Sequence, residues 1–281
     1  MHDLILKLRP MAALLAAVFL VVGLVACGGG GEEAAPADDA ASSDAPADTP
    51  AAAPAADYEP GNEAVAALRT GSATVSGTVS YDGEVPTLPA IQMAADPACQ
   101  AKHSEPVYPD TLELGDGNTM AHIFVSVKGM DGEYQAPSEP AVIDQDGCRY
   151  HPHVMGVMAG QPLVFLNSDE LLHNVHGLPE ANREFNLGMP ATRTEAEVTG
   201  LNTPEPLFPV KCDVHPWMQS YVAVMTHPYF DVTATDGAFE IDGLPPGTYE
   251  IEAWHERLGT QTQSVTVADG ESASADFTFS R

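Results

Sequence analysis

The stretch Val210-Lys211-Cys212-Asp213-Val214-His215-Pro216-Trp217-Met218 puts a thiol, an imidazole and a thioether into one short loop between two apolar runs. Three donors so close in sequence can meet at one point only if the chain turns tightly, and such a turn keeps its shape only when rigid elements hold both ends. A thiolate, an imidazole and a thioether together suit a soft cation. Copper, which cycles between two oxidation states, is the natural candidate, because two histidines, a cysteine and a weak axial methionine make up its electron-transfer ligand set. The loop supplies three of those four. The second histidine is expected from Leu171-Leu172-His173-Asn174-Val175, just after the apolar run Leu163-Val164-Phe165-Leu166.

A strand ending in Asn167-Ser168-Asp169, then His173-Asn174, then Cys-x2-His-x2-Met resembles a cupredoxin over residues 139–227, with a short ligand loop similar to that of amicyanin. The resemblance implies a Greek-key β-sandwich with one type 1 copper held by His173, Cys212, His215 and Met218. It also implies that the electron leaves through an exposed edge of His215, framed by Pro216 and Trp217. Lys211 departs from the pattern, since many cupredoxins carry an aromatic residue before the cysteine.

The rest of the folded chain reads as strands and turns. Ser72 to Tyr81 alternates Val75, Gly77, Val79 and Tyr81 and ends at Asp82-Gly83, a hairpin-type turn. Ile123 to Val127 is a second strand candidate, closed by Lys128-Gly129. No segment from Arg69 to Arg281 keeps a helical period for long, so the expected class is all-β. Near the C-terminus, Thr235-Asp236-Gly237-x-Phe239 followed by Leu244-Pro245-Pro246-Gly247-x-Tyr249 resembles the carboxypeptidase regulatory-like β-sandwich. That family is a structural and interaction module, and the resemblance implies a second, smaller sandwich at 228–281. It normally opens on a Gly-x-Val strand, for which Gly77-Thr78-Val79 is the candidate. Residues 72–138 would then provide its first strands, with the copper segment inserted between early and late ones. Arg183 to Leu207 reads as irregular and carries no assigned chemistry.

Residues 1–26 have the anatomy of an export signal: Lys7 and Arg9, an apolar run from Met11 to Val22, then Leu24-Val25-Ala26-Cys27, which resembles a bacterial lipobox. The run is shorter than the ~20 residues a membrane span needs. Lipid attachment at Cys27 is therefore expected, on the periplasmic or outer-membrane side of a bacterial envelope. Residues 27–71, rich in Ala, Pro and acid, cannot bury enough apolar surface to offset their ordering entropy and read as a disordered tether. The formal charge is −29, and with Lys7, Arg9 and Asp3 removed 9 basic and 39 acidic side chains remain, or −30. That balance argues against nucleic acid as a partner. A basic c-type cytochrome would suit it.

With Cys27 lipidated and Cys212 on the metal, Cys99 and Cys148 remain, and an exported chain permits a disulfide between them. A rival reading joins Cys148-x2-His151 to Cys212-x2-His215 as a structural Cys2His2 zinc site, but it leaves Met218 and His173 unexplained. His151, His153 and His176 are candidates for support around the ligands or a weak loading site, although exposed or core imidazoles are the commoner case. Motifs for hydrolysis or phosphate binding are absent, so no enzyme is expected. The expected function is an exported, membrane-tethered one-electron carrier. Copper storage or delivery, and adhesion, are the alternatives.

Overall fold

The computed structural model describes residues 62–130 and 132–281, all within one compact unit, 51–281. The signal segment and Cys27 lie outside the described residues. Of the tether expected at 27–71, residues 62–71 are described, and they are folded. Glu63–Ala66 forms a helical turn whose Val65 is buried against Phe124 and Phe230. Arg69 donates to the carbonyls of Pro228 and Phe230 at 2.9 and 2.6 Å and pairs with Asp242 at 2.7 Å. One apolar anchor and one cation offset the ordering cost that the Ala- and Pro-rich stretch cannot.

Strands β1 (Ala73–Tyr81) and β2 (Phe124–Lys128) open the fold. Nine follow: β3 (Ala141–Asp146), β4 (Arg149–His151), β5 (Val154–Met158), β6 (Leu163–Asn167), β7 (His173–Gly177), β8 (Phe185–Met189), β9 (Glu195–Val198), β10 (Glu205–Lys211) and β11 (Gln219–Met225). The last are β12 (Phe230–Val232), β13 (Ala238–Leu244), β14 (Gly247–His255), β15 (Gly259–Val267), β16 (Ser272–Ser274) and β17 (Phe277–Phe279). The longest α-helix among the described residues is Pro97–Ala101, so the protein is all-β. None of the described helices is long and apolar enough to cross a membrane.

The middle strands form a sandwich of two sheets, ordered β5-β11-β10-β7-β8 and β4-β3-β6-β9. Ile143, Tyr150, Val157, Phe165, Val175, Phe208, Val210 and Val222 fill the space between them. The outer strands form the second sandwich, β13-β1-β16 with β17 also on β1, facing β12-β2-β14-β15. Its core holds Val75, Val79, Val125, Tyr229, Phe239, Ile251, Phe277 and Phe279. Because β1 and β2 pair only with strands after Pro228, the segment holding β3 to β11 is an insertion in this second sandwich. The two share a third cluster in which Val154, Met158 and Ala223 meet Phe124 and Phe230. Gly156 permits that contact: a Cβ there would stand 2.5 Å from the Phe230 ring. Gly237 explains the Thr-Asp-Gly motif, since it turns at φ +69° with its Cα against the Val79 carbonyl, where a Cβ would come within 2.4 Å.

The span Arg183 to Leu207 is not irregular. It holds β8 and β9, which alternate exposed and covered residues, and the start of β10. Pro206 and Pro209 disguise β10, which tolerates them because its pairing with β7 involves only Val210 and Lys211 and its register against β11 shifts between Glu205 and Phe208.

Candidate metal centre

Strands β10 and β11 are antiparallel neighbours, and the loop joining them runs from Cys212 to Met218. Cys212 N–H donates to the Met218 carbonyl at 3.2 Å, and Met218 N–H to the His215 carbonyl at 2.9 Å. His215 N–H donates to Cys212 Sγ at 3.4 Å. On the other side of β10, strand β7 begins at His173 and pairs through His176 with Lys211. One sheet therefore delivers His173, Cys212, His215 and Met218 to one end of the sandwich, where all four are at most 2% exposed. The ligating atoms of His173, Cys212 and His215 lie within 4.8 Å of one another. His173 Nδ1 is 2.9 Å from His215 Nδ1, which is 3.8 Å from Cys212 Sγ.

Whether a metal fits there is decided by the far side of each ring. His173 Nε2 lies 2.8 Å from Asp169 Oδ2 and His215 Nε2 lies 3.1 Å from Asp96 Oδ2. An ionised carboxylate only accepts, so each Nε2 carries the hydrogen and each neutral ring keeps its lone pair on Nδ1. Two lone pairs facing each other at 2.9 Å beside a thiol repel unless a cation sits between them. The residues present fit a soft metal ion. In the metal-free chain a proton fills that role: burial disfavours it, but hydrogen bonds to Asp169 and Cys212 outweigh burial and push His173 up to about 9. Burial would likewise raise the Cys212 thiol. His173 and the backbone N–H groups of Asn174, His215 and Val214 hold it below its ordinary value.

The surroundings are fixed in turn. Asp169, fully buried, also accepts from the backbone N–H of Gly147 and Cys148 at 2.7 Å each and pairs with Lys102 at 2.9 Å. Against its burial, His173, Lys102 and Cys148 hold its carboxyl down at about 2. Tyr150, buried, donates to the carbonyls of Asn174 and Lys211 at 2.6 and 3.2 Å, tying β7 and β10 together. Asn174 reaches Asp213 of the ligand loop at 3.1 Å.

The exposed edge expected for His215 is absent. The ring is 2% exposed because the segment between β1 and β2 lies over it, with Asp96 on its Nε2 and Cys99 Sγ at 3.5 Å. Cys99 and Cys148 form a disulfide, and Trp217 Nε1–H donates to the Cys148 carbonyl at 3.0 Å. Cys148 is thus not free for a Cys2His2 zinc site, which corrects that reading, and Cys212 is the free cysteine of the described residues. His151, His153 and His176 are not among the groups converging on the site. His151 lies on β4, and His153 is spent on the Gln219 carbonyl at 3.0 Å and Glu256 at 2.8 Å. His176 acts one step removed, bonding Asp213 at 3.1 Å and Glu184 at 3.0 Å.

Asp96, Lys102 and Asp169 were not assigned from the sequence. Asp-Pro at positions 96–97 is a helix-start signal, an N-cap followed by proline at the first helical position, but nothing local announces a contact with His215.

Residues 222–280 match the carboxypeptidase regulatory-like domain. No curated protein matches the sequence. Among solved structures, the M98A mutant of amicyanin in its Cu(I) form aligns at 21% identity with a TM-score of 0.26, over 36% of this chain and 98% of that one. The purple cupredoxin of Nitrosopumilus maritimus aligns at 21% identity with a TM-score of 0.26, over 30% of this chain and 99% of that one. A copper-containing nitrite reductase from Thermus scotoductus SA-01 aligns at 17% identity with a TM-score of 0.29, over 34% of this chain and only 24% of that one. The chain is thus all-β by its own strands, with a C-terminal segment, 222–280, that matches the carboxypeptidase regulatory-like domain, and cupredoxins stand among its structural neighbours.

Proposed function

We propose that this is an exported, envelope-tethered copper protein that carries one electron at a time, with His173, Cys212, His215 and Met218 as ligands. One observation carries the reading: both imidazoles spend their Nε2 hydrogens on carboxylates, so their Nδ1 lone pairs converge beside a thiol. Hard cations prefer oxygen donors, whereas two nitrogens with a thiolate and a thioether select a soft ion. Copper, when bound, supplies the one-electron couple. Asp169 and Asp96 keep each ring in one tautomer, and backbone N–H groups steady the sulfur. Burial of all four side chains excludes water. A loop closed by its own hydrogen bonds on a five-stranded sheet changes little when the site changes charge, as a carrier needs. Four protein ligands leave no position for a substrate, and we assign no catalytic residue.

Since His215 is covered, contact with the redox partner falls to Leu172, 55% exposed beside His173, and Val214, 43% exposed beside His215. Titrating the purified chain with Cu(II) tests the reading. One equivalent should produce an intense visible absorption that disappears on reduction and returns on oxidation with the copper retained. Colourless binding, or copper lost on each reduction, would overturn the carrier. The tether is tested separately, since Cys27→Ala should move the protein from the membrane fraction to the soluble one.

A further inference from the structure

The two imidazoles are backed by carboxylates of different origin. Asp169 belongs to the metal-bearing sandwich, whereas Asp96 lies on the excursion between β1 and β2, two strands of the other sandwich. That excursion is fastened over the metal end at several points. Met93 and Cys99 are buried in the core of the first sandwich, Cys99 is bonded to Cys148, Lys102 pairs with Asp169, and His103 Nε2 lies 2.7 Å from the Gly147 carbonyl. Asp96 itself is held twice. Its Oδ1 accepts from the N–H of Ala98 and Cys99 at 2.9 and 3.3 Å as the N-cap of Pro97–Ala101, and its Oδ2 faces His215.

Resting on the copper reading, we propose that Asp96 is a positioning residue for His215 and that the β1–β2 excursion is a cap sealing this ligand from solvent. A carboxylate on Nε2 fixes the tautomer that leaves Nδ1 for the metal, stops the ring from swinging out of the site, and makes the imidazole a stronger donor. The added negative charge favours the higher oxidation state. The cap therefore binds the second sandwich to the redox chemistry of the first: a loop of the outer module sets the affinity and potential of the inner one.

The test is Asp96→Asn. Asparagine is as good an N-cap as aspartate, so its oxygen can keep the helix start while its amide nitrogen now offers a hydrogen to His215 Nε2. The expected result in the metal-free protein is a change of His215, followed by imidazole nitrogen NMR, from the Nε2–H to the Nδ1–H tautomer, with the Cys99–Cys148 bond still present by mass mapping. In the copper form we expect Cu(II) affinity to fall about 10- to 100-fold, the usual cost of removing such a support. Each tenfold lost by Cu(II) alone raises the potential by about 59 mV for a one-electron couple. Gln100→Ala, on the exposed side of the same helix, should leave both readouts unchanged. An unchanged tautomer, or unchanged affinity and potential with the disulfide intact, would overturn the proposal. A wild-type protein that takes up no copper would defeat the copper reading alone, because the tautomer measurement still decides what Asp96 does to His215.

Discussion

Glu256 Oε1 lies 2.8 Å from His153 Nε2, both side chains nearly buried, one following β14 of the outer sandwich and the other leading into β5 of the inner one. The other oxygen of Glu256 accepts from Tyr221 on β11 at 2.9 Å, and His153 Nδ1 faces the Gln219 carbonyl. The contact pins the two sandwiches together at the strand that leaves the ligand loop. Removing one partner of a buried pair leaves the other desolvated and unpaired, at a cost of about 3 kcal/mol. Glu256→Ala should lower the midpoint of chemical denaturation accordingly and leave the ligand side chains in place. An unaltered midpoint would mean that the cluster of Val154, Met158, Phe124 and Phe230 holds the modules together unaided.

Replacing Cys212 with serine should abolish the intense visible band, because a hydroxyl is not a soft ligand. Met218→Gln should keep the metal and lower its potential. Replacing His176 should matter far less than replacing His173, since His176 reaches Asp213 and Glu184 while His173 faces the site. A Cys212→Ser protein that remained blue, or equal losses at the two histidines, would displace the ligand assignment.

Much of this was written in the sequence because it is local. Alternating Val75, Gly77, Val79 and Tyr81 marks β1, and Pro245-Pro246-Gly247 marks the turn between β13 and β14, since strand period and turn chemistry act over a few residues. That Cys212, His215 and Met218 share one tight loop between two strands was legible for the same reason. Asp96 was not, because it reaches His215 across 119 residues, and the capping signal that marks Asp96 as a helix start says nothing of that second contact. The buried edge of His215 was misread on the same account: a resemblance limited to 139–227 cannot include a cap that comes from outside it. Strand β10 was obscured by its own prolines.

His227 offers a test by acid. Packed against Tyr229 and Tyr134, it is held by burial down at about 4, against an ordinary 6.5, despite hydrogen bonds that favour its charged form. The fold therefore keeps it neutral where the unfolded chain would take up a proton. Stability contributed this way is intact above pH 6.5, falls as pH drops from 6.5 toward 4, and is fully lost below that. The span corresponds to roughly 3 kcal/mol. His255, also lowered chiefly by burial, adds to the same slope. Measuring unfolding free energy from pH 7 to pH 4 for the native chain and for His227→Gln should give curves that converge as pH falls. Parallel curves would mean that His227 is protonated in the folded state as readily as in the unfolded one.

The last prediction separates a carrier from a protein that stores or delivers copper. The chain carries a formal charge of −29, or −30 were residues 1–26 removed as an export signal, and such a field steers a basic partner toward encounter before any contact forms. Salt shortens the reach of that field, from about 30 Å at 0.01 M to about 10 Å at 0.1 M. Stopped-flow reduction of the copper form by a small basic c-type cytochrome should therefore slow steeply across this range, while reduction by a small neutral reagent should not. Replacing Leu172 or Val214 with aspartate should slow the cytochrome reaction at every salt concentration, because it puts charge into the apolar contact rather than into the long-range field. Its rate should then keep nearly the same salt slope. A storage protein needs no fast exchange, so sluggish reduction at all salt concentrations, or copper released with each electron, would assign this site to delivery instead.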